Sequence, residues 1–192
     1  MLVCSQCKAL LTSGGGPCPD DGARGQQVDQ LPIGAKVGTY RVVRLLGEGG
    51  MGFVYEAVHT TLGRRSAIKC LRAEFANDPG VVARFLQEAR AVNLIRSDNI
   101  VSIYDFSDGT AGAVYFVMEF LEGEALADLE DRTGPLPMPL LLHLYDQLLP
   151  ALAAAHQANI VHRDLKPANV FLQRLESEPY KVKLLDFGIA KL

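Results

Sequence analysis

Glycines are concentrated in one short stretch between two strand-like segments. The stretch reads Gly47-Glu48-Gly49-Gly50-Met51-Gly52-Phe53-Val54. Glycine lets the backbone approach a phosphate closely and direct its N–H groups toward it. On its own, the stretch is equally well explained as an ordinary hairpin turn. In a dinucleotide-binding turn the glycines open a helix, whereas residues 53–58 continue as a strand, which favours a hairpin that covers phosphate groups.

A lysine and a glutamate occupy positions where each needs a partner. Lys69 lies within an apolar strand, where a single lysine is usually solvated. Glu88 lies on the apolar seam of a helix predicted over residues 81–95, between Phe85 and Val92. Removing one partner of a buried ion pair costs about 3–5 kcal/mol, so a carboxylate on this seam should be paired. We predict a pair between Lys69 and Glu88; the alternative is a glutamate that tilts to the rim and stays solvated.

A polar cluster interrupts the apolar sequence of the C-terminal part. Residues 162–169 lie between two apolar runs, and their polar members include His162, Arg163, Asp164, Lys166 and Asn169. A surface turn with a helix cap is the simplest alternative, but it does not explain why the cluster separates two apolar runs. Further on, Asp186-Phe187-Gly188 follows a strand, and such a tripeptide alone is more often a turn than a site.

The elements that must position these residues follow a consistent order. Strands are predicted over residues 40–46, 53–58, 65–71, 114–118 and 182–185, and helices over residues 81–95 and 140–157. Residues 161–172 are predicted to form a loop with short strands, and Pro150 is expected to kink the second helix. Strands first and helices later indicate an α+β protein with two lobes.

Together, these motifs resemble those of the protein kinase superfamily, in particular bacterial Ser/Thr kinases of the eukaryotic type. The motifs occur in the family's order, and each polar motif residue is present. The resemblance begins at about Tyr40 and implies a β-rich N-terminal lobe and the first part of a helical C-terminal lobe. The resemblance also implies a signalling enzyme that uses ATP and Mg²⁺ to phosphorylate Ser or Thr hydroxyls of protein substrates.

The resemblance also assigns roles to the motif residues. The glycine loop would cover the ATP phosphates, and Lys69, held by Glu88, would bind the α- and β-phosphates. Asp164 would accept or orient the proton of the substrate hydroxyl, and Lys166 would steady the transferred phosphoryl group.

Metal and adenine sites are implied in the same way. Asn169 and Asp186 would bind Mg²⁺. Residues 114–123 resemble the strand and hinge that bind adenine through backbone groups. The residues assigned to the adenine pocket are Leu46, Val54, Ala67, Met118, Glu119, Leu121 and Phe171.

The family continues beyond the point where this sequence ends. After Asp186 it has an activation segment, an Ala-Pro-Glu motif and several helices, and this sequence stops at Leu192. We therefore expect a C-terminally truncated kinase domain, with apolar surface exposed on residues 140–157. The alternative is a short form that binds nucleotide or another chain without catalysis.

Three of the four cysteines lie near the start of the chain. Cys4, Cys7, Cys18 and Asp21 resemble the two knuckles of a zinc ribbon, with the aspartate in place of a fourth cysteine. Zn²⁺ prefers four tetrahedral ligands, and a carboxylate is an acceptable one. We predict a zinc site here; the alternative is a disordered tail with free thiols. A further hypothesis is that this segment recruits partners and the kinase part is inert. Cys70 is expected to be a small buried apolar residue.

The predicted organisation is a zinc-ribbon-like segment over residues 1–22, a polar linker over residues 23–38 and a kinase domain over residues 39–192. The net charge of −3 provides no basic surface, so neither nucleic acid nor an anionic membrane is expected as a partner. We find no signal peptide, and residues 136–158 are too polar for a membrane span. Clustered cysteines favour a metal site in a reducing compartment, so a cytoplasmic location is expected.

Overall fold

The computed structural model describes residues 1–11, 16–28, 30–109, 113–176 and 179–188. Residues 12–15 of the predicted zinc-ribbon-like segment and residues 189–192 of the predicted kinase domain lie outside the described residues. The chain forms two compact units, one of Met1–Leu86 with Ile103–Phe120 and the other of Gln87–Ser102 with Leu121–Leu192. The first unit consists mainly of strands, and the two longest helices after residue 120 lie in the second unit. This arrangement confirms the predicted α+β class.

The N-terminal residues form a small antiparallel sheet. Strand β1 (Leu2–Cys4) lies between β2 (Leu10–Leu11) and β3 (Gly25–Gln27). The described residues of the segment 23–38, interpreted from the sequence as a linker, include β3 and β4 (Lys36–Val37). They also bury three apolar side chains, those of Leu31, Ala35 and Val37. The apolar residues of this segment follow no regular period, which is why the sequence indicated a linker.

A larger sheet forms most of the rest of the first unit. This sheet contains β4 and five more strands, which are β5 (Tyr40–Glu48), β6 (Gly52–His59), β7 (Arg65–Leu71), β8 (Ile103–Asp108) and β9 (Val114–Glu119). The six strands lie in the order β4-β5-β6-β7-β9-β8, and all pairs are antiparallel. The sheet contributes a buried cluster of Val37, Val42, Phe53, Tyr55, Ala57, Ile68, Cys70 and Val117. Cys70 is therefore the small buried residue that the sequence predicts.

Helix α1 (Pro79–Val92) starts where its sequence provides a cap. The Asp78 carboxylate accepts hydrogen bonds from the backbone N–H groups of Gly80 at 2.8 Å and Val81 at 3.2 Å, and proline is favoured at the first helical position. The predicted inward seam is confirmed, because the buried residues of the helix are Val81, Phe85, Leu86, Glu88, Ala89 and Val92.

The second unit contains a three-stranded sheet and two helices. Its elements are β10 (Gly123–Ala125), α2 (Leu126–Thr133), α3 (Met138–Gln157), a 3₁₀ turn (Pro167–Asn169), β11 (Val170–Gln173) and β12 (Lys181–Leu184). Strand β11 lies between β10 and β12 and is antiparallel to both. Helix α3 runs through Pro150 without ending there.

Polar residues fix α3 to the small sheet. The Gln147 side chain accepts hydrogen bonds from the backbone N–H of Val182 at 2.9 Å and from the Asn99 amide at 3.2 Å. On another face, the helix exposes an apolar stripe at intervals of three and four residues, formed by Met138, Leu142, Tyr145 and Leu149. Among the described residues, we find no helix with the length and apolar content needed to cross a membrane.

Candidate active site and metal centre

The glycine loop is a hairpin turn, as the sequence predicts. Glu48 on β5 pairs with Phe53 on β6, and the Gly49 N–H donates to the Gly52 carbonyl at 2.9 Å to close the turn. A Cβ atom at Gly52 would overlap the backbone carbonyl oxygen of Cys70 on β7. Glycine is therefore required at this position by the close approach of two strands.

Arg72, directly after β7, holds the hairpin. Its side-chain Nε and Nη2 donate to the Gly49 carbonyl at 3.3 and 3.2 Å, and its guanidinium pairs with the Glu48 carboxylate. Its backbone N–H donates to the Met51 carbonyl at 3.0 Å, and the guanidinium lies over the Phe53 ring. Arg72 was not predicted from the sequence, because a lone arginine after a strand has no distinctive spacing.

The first unit also brings together the predicted nucleotide-binding residues of its sheet. Val54 is paired with Lys69, and Ala67 with Met118. Because directly paired residues project to the same face, and Ala67 and Lys69 are two apart on β7, these four side chains share one face. Glu119 is the last residue of β9. The face that Ala67 and Lys69 share with Val54 and Met118 is opposite to the face that carries Ile68 and Cys70.

Other predicted residues of the ATP site belong to the second unit. Glu88 is buried, Leu121 follows β9 and Phe171 lies half-buried on β11. Since Lys69 and Glu88 are in different units, their ion pair stays a prediction. The same holds for an adenine pocket formed by residues of both units.

The polar cluster of the second unit is a compact loop between α3 and β11. The Asn169 side-chain amide donates to the Asp164 carboxylate at 2.9 Å and to the Asp164 backbone carbonyl at 2.8 Å. The Lys166 ammonium lies 3.1 Å from the same carboxylate oxygen. Three residues selected from the sequence are therefore in direct contact, and one carboxylate is flanked by an amide and a cation.

His162 connects this loop to Asp186-Phe187-Gly188. Its Nε2 lies 2.9 Å from the Leu185 carbonyl oxygen, and its ring packs on Phe187 with the ring centroids 4.5 Å apart. The Gly188 N–H donates to the His162 carbonyl at 2.7 Å. These contacts hold Asp186 next to the loop that carries Asp164.

The backbone at this site includes two unusual conformations. Arg163 and Asp186 have φ angles of 62° and 43°, a region that non-glycine residues seldom adopt. Such conformations persist where the surroundings fix them, and they are frequent at functional sites.

The donor set of the site suits magnesium. Asp186 is exposed, and the amide nitrogen of Asn169 is already bonded to Asp164, which leaves the amide oxygen of Asn169 to bind a cation. Carboxylate and amide oxygens are hard ligands of the kind that Mg²⁺ prefers. Asn169 and Asp186 therefore fit the ion that the sequence analysis assigned to them.

Burial lowers the pKa of His162 from its usual value, although the Leu185 carbonyl and the Asp164 and Asp186 carboxylates oppose the shift. Below a pH of about 6.5 the unfolded chain binds a proton at this histidine that the folded chain does not bind. We therefore predict that the stability of the chain falls as the pH is lowered through this value, by at most about 1.4 kcal/mol per pH unit from this group.

Denaturant unfolding of wild type and His162→Gln between about pH 5 and about pH 7.5 checks this prediction. The glutamine has a donor amide but does not titrate, so the difference in unfolding free energy between the two proteins isolates His162. We expect this difference to change with pH in favour of the variant at low pH. A difference that is independent of pH would contradict the prediction.

Comparison with known proteins establishes the family. Residues 40–192 match the family described as the protein kinase domain. The chain belongs to the protein kinase family. Among relatives, it is 49% identical over 161 residues to the serine/threonine-protein kinase Pkn1 of Myxococcus xanthus, which covers 83% of this chain and 23% of the relative. It is 42% identical over 158 residues to the serine/threonine-protein kinase PknA of Mycobacterium tuberculosis, with 80% of this chain and 36% of the relative covered.

Solved structures agree with this assignment. The PknI kinase domain of Mycobacterium tuberculosis has a TM-score of 0.69 at 31% identity, covering 84% of this chain and 63% of that one. The apo form of PpkA-294 has a TM-score of 0.73 at 25% identity, with 85% and 63% covered. The fold is thus that of a protein kinase, as the sequence predicts. This kinase chain spans about a quarter to a third of the curated relatives' length.

The cysteine-rich segment of this kinase chain lies outside the matched residues and forms a compact ligand set. The ligand atoms of Cys4, Cys7, Cys18 and Asp21, here called the metal centre, lie within 4.8 Å of one another. The Cys7 and Cys18 sulfurs are 3.5 Å apart, and the Cys4 sulfur is 3.3 Å from both Asp21 carboxylate oxygens. Ligands 2.3 Å from a tetrahedral zinc ion are separated by about 3.8 Å, whereas bonded sulfurs are about 2.05 Å apart. The spacing therefore suits a tetrahedral ion and not a disulfide.

The metal centre concentrates negative charge. The backbone N–H of Ala23 stabilises the Asp21 carboxylate and is the main cause that lowers its pKa to about 2. A backbone hydrogen bond at Ala9 lowers the pKa of Cys7, but burial together with Asp21 and the neighbouring thiols raises it more, to about 12. Burial raises the pKa of Cys4, but backbone hydrogen bonds from Cys7 and Gln6 lower it more. A negative charge on Cys7 is thus unfavourable by itself, and a divalent cation would offset its repulsion by Asp21.

Proposed function

We propose that this chain carries the ATP-dependent Ser/Thr protein kinase activity of a signalling enzyme, which transfers the γ-phosphate of ATP to Ser or Thr hydroxyls of proteins. The observation that carries the proposal is the contact of Asp164 with Asn169 and Lys166. Phosphoryl transfer needs little covalent chemistry from the protein, and depends on positioning and charge neutralisation. The three residues supply a proton acceptor, a ligand for a cation and a positive charge within one loop.

Each residue acts on a different part of the reaction. The Asp164 carboxylate orients the substrate hydroxyl and accepts its proton, while the Lys166 ammonium offsets charge on the transferred group. Asn169 and Asp186 hold Mg²⁺, which, when bound, neutralises the charge of the phosphates. Lys69 binds the α- and β-phosphates.

The nucleotide is held mainly by the first unit in this proposal. The glycine hairpin covers the phosphates with backbone N–H groups, and Arg72 keeps the hairpin closed. Within the first unit, the residues proposed to contact the nucleotide beyond the hairpin and Lys69 are Leu46, Val54, Ala67, Met118 and Glu119. The shared face of Val54, Ala67, Lys69 and Met118 supports this placement.

Transfer of label from γ-labelled ATP in the presence of Mg²⁺, to the chain itself and to a generic Ser/Thr-rich protein, tests the proposal. Label in wild type that is lost in Asp186→Asn would support kinase activity of this chain. No label from folded protein would favour the alternative, a module that binds nucleotide without catalysis. Titration with a fluorescent ATP analogue then separates that module from a chain that binds no nucleotide.

We further propose that the metal centre binds Zn²⁺ and that the protein works in the reducing cytoplasm. The described cysteines are free thiols, and three of them have the spacing of metal ligands.

Elemental analysis of purified protein should find about one zinc ion per chain. Cys18→Ser should lose the ion and Cys70→Ala should keep it, since Cys70 is buried in the sheet. Wild type without zinc would refute this site and leave the kinase proposal intact.

A further inference from the structure

Strand β1 contributes a ligand to the metal centre and a side chain to the buried cluster of the larger sheet. Successive side chains of a strand project to opposite faces, so Val3 and Cys4 point in opposite directions. Val3 belongs to the buried cluster that contains Phe53 and Tyr55 of β6. Cys4 is buried with Leu11 and Cys18 in a separate cluster at the metal centre. The position of Cys4 therefore determines the position of Val3 against β6.

A second connection runs through the backbone next to the ligands. The Lys36 N–H on β4 donates to the Lys8 carbonyl at 2.9 Å, and Ala9 forms a parallel bridge with Lys36. The Lys36 ammonium also lies 3.6 Å from the Asp20 carboxylate. Lys8 follows the ligand Cys7 and Asp20 precedes the ligand Asp21, so both contacts depend on segments that the metal centre fixes.

A third connection ends at a buried tyrosine of β6. The Val28 N–H donates to the Met1 carbonyl at 2.8 Å, which joins the start of β1 to Val28, three positions before Leu31. The Leu31 N–H donates to the Tyr55 hydroxyl at 3.0 Å, and both residues are buried. Tyr55 is three residues beyond Gly52, where the glycine hairpin passes into β6.

From these three connections we propose that a metal ion in the metal centre orders β6, so that zinc binding and nucleotide binding by this chain are coupled. The inference rests on the zinc site proposed above. The ligands of the metal centre precede residues 40–192, the part of the chain that matches the protein kinase domain. Without the ion, Cys4 is no longer fixed, so Val3 loses its fixed place in the buried cluster of Phe53 and Tyr55, and the hydrogen bond from Leu31 to Tyr55 is weakened.

Two measurements on the whole chain test the coupling. Hydrogen exchange of residues 52–59 is compared in zinc-loaded protein and in protein stripped by a chelator that removes zinc and leaves Mg²⁺ in solution. The dissociation constant of a fluorescent ATP analogue with Mg²⁺ is measured for the same two forms. We expect stripping to speed exchange in β6 and to weaken nucleotide binding about fivefold or more, the lower limit of typical couplings between sites.

Linkage adds a test that needs only loaded protein. The nucleotide must raise the affinity for zinc by the same factor by which zinc raises the affinity for the nucleotide. Competition with a chromophoric zinc chelator, with and without the ATP analogue, measures this factor. If the stripped chain unfolds, the comparison of this factor between wild type and the variants below tests the connection.

Variants that keep all four ligands locate the connection. Val3→Ala and Tyr55→Phe should still bind one zinc ion per chain, but their coupling factor should fall toward one. Ile33→Ala is the matched control, because its apolar side chain is 76% exposed in the same N-terminal region, and it should keep the wild-type factor.

The outcomes separate this inference from the proposals on which it rests. Bound zinc with unchanged β6 exchange and unchanged nucleotide affinity overturns the coupling and leaves the zinc site in place. Absence of bound zinc overturns both. Wild-type coupling in Val3→Ala and Tyr55→Phe also overturns the inference, since the structure provides these contacts as the connection.

Discussion

Asp164→Asn is expected to lower the rate of phosphoryl transfer by about 10²–10⁴-fold and to leave the affinity for ATP nearly unchanged. The asparagine has almost the same shape, so it retains an oxygen near the Asn169 amide, which lies 2.9 Å from the carboxylate in wild type. It cannot accept the hydroxyl proton, and it loses the charge that faces Lys166 at 3.1 Å. The loss should therefore concern the chemical step and not the binding of the nucleotide.

Single-turnover transfer from labelled ATP, together with titration of a fluorescent ATP analogue, separates the two effects. Asp131→Asn on α2 is the matched control, since it makes the same chemical change at an exposed aspartate. It should keep the wild-type rate. A fall of less than tenfold in Asp164→Asn, or an equal loss of ATP affinity, would contradict the role of Asp164 as proton acceptor.

Strands and helices with a clear hydrophobic periodicity could be predicted from the sequence, and those with a weak periodicity could not. The predicted strand over residues 65–71 coincides with β7, and the two predicted helices agree with α1 and α3 to within a few residues. Strand β8 was missed because Ile103 is its one buried residue, and its exposed residues mix the aromatic Tyr104 and Phe106 with two aspartates. Helix α2 was missed because it spans only eight residues and buries only Leu129 among them.

Tertiary contacts account for the rest of the differences. Leu31 and Val37 are buried because Tyr55 and its neighbours cover them, and nothing in the local sequence signals that burial. The motif residues of the site were selected because their types and order resemble those of the protein kinase family. Arg72 was not, because its role depends on the proximity of Gly49, 23 positions earlier in the chain.

The glycine loop is another case in which contacts with distant residues are not visible in the sequence, because its four glycines look equivalent there. In the structure they differ. At Gly47 and Gly50 an added Cβ would meet no atom within 4 Å, and at Gly49 only an ordinary contact with the Gly52 carbonyl. At Gly52 it would overlap the carbonyl oxygen of Cys70, a backbone atom that cannot move aside without disturbing the pairing of β6 with β7.

Gly52→Ala is therefore expected to destabilise the chain by about 1–3 kcal/mol, the range for added methyl groups in tightly packed positions. For a domain of this size, each kcal/mol lowers the melting midpoint by about 2–4 °C. Because β6 and β7 carry Val54 and Lys69, the shift should also weaken nucleotide binding. Gly50→Ala is the matched control for stability, and its unfolding free energy should stay close to wild type.

Denaturant unfolding of the two variants checks the difference. Equal destabilisation by Gly52→Ala and Gly50→Ala would show that the loop depends on glycine for flexibility in general. A large loss confined to Gly52→Ala would show that one glycine is required for the packing of two strands. The remaining glycines would then be retained for a separate reason, the approach of the backbone to phosphate.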